Sequence, residues 1–290
     1  MLCKESSADN RRMEKRGFKM KENPAILTAL QQQIDDREQW ALLTDYMLHE
    51  SGLPGPRANL TLAGSFAGLF ARPEVTETAW ELISAWSHLP ESEAKTGDPQ
   101  EYLPFCAVWA CGAHYAHADS IRRSQAEERL QAAMNDGRWR LREAAAMGLQ
   151  SLGEYDFALL RELLDGWRSG ATLLEQRAFV AALAHPPLLK AEANVLYCLE
   201  LAAGIMDGIR SSDSGPAERE HFRVLSKGLE YSLSVFAASL PQPGFAMLRK
   251  YAASGDPRLI KIVKSNLGKT RLTKNYPDEV AGLLQLLTTC

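Results

Sequence analysis

Two clusters of cations and aromatics in this chain are of types that hold anions. The first lies in DGRWRLREAAAMGLQSLGEYD at 136–156, where Arg138, Trp139, Arg140 and Arg142 precede Trp167, Arg168 and Arg177 further on. Arginines of this kind hold phosphates and tryptophans stack on sugars and bases, so the pattern fits a nucleic-acid surface. The second is 249–274, with Arg249, Lys250, Arg258, Lys261, Lys264, Lys269, Arg271 and Lys274 against Asp256 alone. On a helix opened by Pro257 and ended by Gly268, Lys261 and Lys264 stand three apart. With Lys269 and Arg271 they form one electropositive ridge. A structural alternative stands beside both. Trp139 and Trp167 then cap grooves between helices and the arginines solvate a rim, while a terminal repeat carries a polar exterior.

CGAHYAHAD at 111–119 places Cys111, His114 and His117 at spacings of three, with Asp119 beyond. These are metal-ligand types, but no second cluster completes a site, and a histidine at a helix end is favoured by the helix dipole. Core and capping roles are therefore expected there. SGLPGPRANLTLAG at 51–64 reads as a rigid turn, with Asn59 or Thr61 capping the helix that follows. The chain has no Walker-type phosphate loop, no G-x-S-x-G elbow, no H-E-x-x-H and no C-x-x-C. No catalytic residue, metal ligand or cofactor is assigned.

The elements that position these residues read as helices. Past residue 23, apolar residues recur at spacings of three and four; Ala126, Leu130 and Met134 share one face. Fourteen helices are predicted, the first at 24–34 and the last at 277–287. They include 60–70, 102–114, 120–135, 139–152, 173–184, 221–238, 245–253 and 257–267. Short punctuators such as HLPES, NDG, HPP and SGDP separate them, and alternating strand patterns are missing. The 290 residues suffice for a continuous core, and 46% apolar with 24% charged residues and a net charge of −3 is an ordinary globular composition. Five scattered cysteines argue for reduced thiols and a cytoplasmic setting. No run is apolar enough for a membrane span. Residues 1–22 are polar and basic without an apolar core, which predicts a flexible arm rather than a secretory signal. Residues 23–290 then form one domain.

Internal similarity chooses between a bundle and a solenoid. RLREAAAMGL at 140–149 aligns with LLEQRAFVAAL at 173–183, which sets Leu149 and Leu183 34 residues apart, and with DPRLIKIVKSNL at 256–267. Such units bury their apolar faces only by stacking. The stretch from 136 resembles a HEAT-type repeat. Asp136 fills the turn position, Leu141 the apolar position, Arg142 the arginine, Ala145 the small packing position and Leu149 the closing leucine. The resemblance implies an all-α, right-handed α-α superhelix of about six or seven helical hairpins. Small residues at 144–146 and 148 let helices approach closely, and Arg142, which the dipole disfavours near a helix N-terminus, needs another contact such as a turn carboxylate of the adjacent repeat.

HEAT-like architecture with Trp and Arg at helix starts is also similar to that of DNA alkylation repair glycosylases, which hold DNA on a concave basic face. Those enzymes need a carboxylate in the cleft. The matching helix here has Glu143 followed by three alanines, and no aspartate. The expected function is therefore a non-enzymatic scaffold or adaptor that holds a protein or peptide on its concave face. Nucleic-acid binding is the alternative, and no membrane partner is expected.

Overall fold

The computed structural model describes residues 24–211 and 216–289. The polar arm expected at 1–22, and Cys3 and Cys290, lie outside the described residues. Among the described residues the chain forms fifteen α-helices and four short 3₁₀ turns, with no strand. In order the helices are α1 (Pro24–Ile34), α2 (Trp40–His49), α3 (Leu60–Gly68), α4 (Glu77–Ser87), α5 (Tyr102–His114), α6 (Ser120–Met134), α7 (Trp139–Tyr155) and α8 (Phe157–Trp167). There follow α9 (Leu173–Leu183), α10 (Glu192–Ser211), α11 (Pro216–Ser239), α12 (Pro241–Ala252), α13 (Pro257–Leu267), α14 (Thr270–Thr273) and α15 (Pro277–Thr289).

Each of the fourteen helices expected from periodicity is present, and α14 is the unforeseen one. Local chemistry explains the boundaries. The side chains of Asn59, Thr76, Asp119 and Asp156 accept from the backbone N–H groups three residues on, opening α3, α4, α6 and α8. Thr172 and Glu175 form a reciprocal capping box at α9. Two starts fall earlier than apolar spacing suggests, at Pro216 and Pro241. Proline costs nothing in a first turn, where its missing N–H has no intrahelical partner.

Non-adjacent helices carry much of the packing. α5 packs on α3 and α7, α9 on α7 and α11, and α13 on α11, so every second helix lies against the next in a continuous row. α4, α6, α8 and α12 each pack against a neighbour in that row. The three mutually similar sequence segments fall on α7, α9 and α13, all members of it. One connected cluster of buried apolar side chains runs from Leu30 in α1 to Leu283 in α15. Ala126, Leu130 and Met134 are all fully buried. Small residues bring the row together: Gly112 of α5 lies directly against Gly148 of α7.

Candidate binding groove

A groove of about 1080 Å³ runs across α7, α9 and α11. Along α7 it is lined by Glu143, Met147, Gln150, Ser151 and Glu154, whose spacings of three and four put them on one face. Arg177 and Ala181 face it from α9, Ala184 from that helix's C-cap, and Arg223, Val224, Lys227 and Tyr231 from α11. Trp109 of α5 and the turn carrying His185, Pro186, Pro187 and Lys190 complete the wall.

Much of its polar lining is already engaged within the protein. Trp109 Nε1 donates to Ser151 Oγ at 3.0 Å, and Gln150 Nε2 to the Ala181 carbonyl at 3.2 Å. Arg177 pairs with Glu143 between α9 and α7, and the stem of Arg177 passes beneath Gly228, where a Cβ would stand 3.1 Å from its Cγ. At the other end of the α7 face, Glu154 pairs with His185. That hydrogen bond holds the Glu154 carboxyl below its ordinary range, against the opposing effect of burial. Between the two pairs lie Met147, Ala181 and Ala184, an apolar stretch flanked by the Arg177–Glu143 and His185–Glu154 contacts.

The arginines of the RWR stretch do not face this groove. Arg138, at the N-cap of α7, is 4% exposed. It pairs with Asp136 at 2.7 Å and donates from Nη1 to the carbonyls of Leu89 (3.0 Å) and Ala94 (3.2 Å). Arg140 is also buried and reaches Glu101 at 2.9 Å and the Gly55 carbonyl at 3.2 Å. Together they fasten the connector between α4 and α5 to the start of α7. Trp139 between them is 46% exposed, with the Arg140 guanidinium 4.5 Å from its ring centroid. Arg142 bonds the carbonyls of Asp136 and Gly137 at 2.6 and 3.0 Å. The contact it needs near the helix N-terminus is therefore with its own turn, in place of the expected carboxylate of an adjacent repeat.

The remaining candidates divide between two places. Trp167 is half-buried and stacks on Phe179, and Arg168 meets Asp165 and Glu200 beside a second cavity of about 710 Å³ bordered by α9 and α10. Arg258 pairs with Asp256 at 2.7 Å, the residue that opens α13. Lys261, Lys269 and Arg271 gather around α11. Lys261 Nζ is 3.7 Å from Glu230 Oε1, and Arg271 lies 4.5 Å over the Tyr231 ring. Lys264 is exposed one turn along α13 from Lys261.

No protein-family model matches the chain, and no curated protein matches it in sequence.

Cys111, His114, His117 and Asp119 are each put to separate use. Cys111 is buried; His114 is buried with Nδ1 3.1 Å from the Phe70 carbonyl. Burial also lowers the His114 pKa, favouring the neutral ring. His117 packs edge-on against Tyr155, and Asp119 caps α6. Among the described residues no group of three or more His, Cys, Asp or Glu is placed to hold a metal, and no helix is long and apolar enough to cross a membrane.

The groove residues that sequence reasoning passed over are Trp109, Met147, Glu154, His185, Lys227 and Tyr231. One signal was legible. Glu143 and Arg177 lie one repeat offset apart, so a cross-repeat ion pair follows once 140–149 and 173–183 are stacked.

Proposed function

We propose that this protein is a non-enzymatic scaffold that holds a peptide or protein segment in the groove across α7, α9 and α11. In this reading the row of helices is the inner layer of a HEAT-like, right-handed superhelix of about six or seven hairpins. Its concave face carries the groove, and its setting is cytoplasmic. The observation that supports it best is the apolar stretch of Met147, Ala181 and Ala184 between the Arg177–Glu143 and His185–Glu154 contacts. A long apolar trough with polar margins suits an extended or helical segment that anchors through alternate side chains. Nucleic acid draws less support, because Arg138 and Arg140 are buried and direct their guanidinium Nη donors to Asp136, Glu101 and backbone carbonyls inside the protein.

The test is selection of random peptides displayed on phage against the purified protein, followed by titration of single clones with Ala181→Glu and Met147→Glu. Both variants should keep wild-type helicity by circular dichroism and weaken binding at least tenfold. Absence of any enriched clone, or clones that bind both variants as well as wild type, overturns the proposal.

A further inference from the structure

One end of the groove opens onto a cluster of cations whose charge is only partly neutralised. Lys227 and Tyr231 line the groove. Around them stand Lys261 and Lys264 of α13, Lys269 just before α14, and Arg271 within it. The carboxylate among these groups is Glu230, whose side chain is 9% exposed. Its oxygens are taken by Lys227 at 2.9 Å, Ser226 at 3.1 Å and Lys261 at 3.7 Å. Among the described residues that one carboxylate is shared by Lys227 and Lys261, while Lys264 and Lys269 add further positive charge. Arg271 is braced on the Tyr231 ring at 4.5 Å and donates to Ser234 Oγ at 3.3 Å, so its cation is fixed beside the groove mouth. Lys269 has its pKa lowered, first by burial, with Glu230 opposing and Arg271 and Lys227 adding to the lowering. An added anion would relieve that crowding.

We infer that this cationic shelf takes an acidic extension of the peptide held in the groove, so that the partner is an apolar segment followed by a run of carboxylates. The inference rests on the groove reading above. Charge complementarity is its ground, and the range of the interaction selects a short partner. At physiological salt a charge is felt over about 8 Å, which suits a few carboxylates placed on the shelf. A long polyanion would instead track over a chain whose net charge is −3, with the RWR cations turned inward.

Two phage pools with the same eight random positions, ending in four Glu or in four Gln, test it on the full-length protein. The Glu-tailed pool should be retained more than tenfold better at low salt. That advantage should vanish in 0.5 M NaCl and in the triple variant Lys261→Gln, Lys264→Gln, Lys269→Gln, which should still hold Gln-tailed clones. Equal retention of the two pools overturns the shelf and leaves the groove standing. Retention of neither pool overturns both. A fluorescein-labelled dT20 that binds more tightly than the Glu-tailed clones, and is lost in the triple variant, overturns the acidic peptide in favour of nucleic acid.

Discussion

Gly112 and Gly148 bring α5 and α7 into direct backbone contact: a Cβ on Gly112 would stand 2.8 Å from the Gly148 carbonyl oxygen and nearer still to its Cα. The converse is milder, since a Cβ on Gly148 would lie 3.2 Å from both the Gly112 Cα and Leu130 Cδ2. No side chain can yield at the first position, because the obstacle is another helix's backbone.

Gly112→Ala should therefore destabilise the fold by about 1–3 kcal/mol despite alanine's better helix propensity, and by more than Gly148→Ala. Gly204→Ala and Gly208→Ala in α10 are the internal contrast. Nothing lies within 4 Å of a Cβ at either, so each should stabilise by about 0.5–1 kcal/mol. Urea denaturation with a common m-value measures both. A neutral Gly112→Ala would deny the close crossing.

Arg140 and Glu101 form a buried pair in which Arg140 Nε and Glu101 Oε1 have no hydrogen-bond partner among the described residues. Removing one charge strands the other. Arg140→Leu should cost about 3–5 kcal/mol, and adding Glu101→Leu should restore part of it. A double-mutant cycle by equilibrium unfolding checks this; strictly additive losses would mean that the two residues are not coupled.

Asp256 is held below the usual carboxylate range, first by hydrogen bonding from the Arg258 side chain, with burial opposing. Because its native pKa is the lower one, the unfolded chain binds the proton first as pH falls. The stability it contributes is fully present above the unfolded pKa of about 4 and drains away as pH drops through the native value. The Tm gap between wild type and Asp256→Asn should be constant near neutrality and close below about pH 4. A gap that widens on acidification would contradict the Arg258 contact.

Burial pushes the Cys111 and Cys198 thiols up to about 12 and raises Cys106 as well. At pH 8 the thiolate fraction of Cys111 and Cys198 is then roughly 10⁻⁴. Iodoacetamide should leave all three unlabelled in the native protein and label them in 8 M urea, as read by peptide mass mapping. Native labelling at any of them would mean that its surroundings open readily.

The helices were legible in the residues because apolar spacing, capping side chains and turn residues agree at nearly every boundary. Asn59, Asp119, Thr172 and Asp256 sit where a cap is needed, and Ala144, Ala145 and Gly148 announce a close crossing. The RWR stretch was less transparent. A charged residue at a helix start reads as exposed unless its distant partner is known, and Leu89, Ala94, Glu101 and Gly55 lie 39 to 85 residues away in sequence. Arg142 could be seen to need a partner, but that the partner is its own turn's carbonyls depends on backbone geometry. The groove was hidden for the complementary reason. Its lining comes mainly from the partly exposed faces of α7, α9 and α11, whereas apolar periodicity reports the buried face.

Arg138 beside Asp136 and Arg140 beside Glu101 also determine what an approaching molecule encounters. Each pair is a short dipole, and a dipole's field decays faster with distance than that of a lone charge. Arg138 and Arg140 of this arginine-rich stretch are thus electrically quiet at range. Any long-range pull on an anion falls instead to exposed lysines such as Lys264, far along the sequence from the motif that looks most basic on paper.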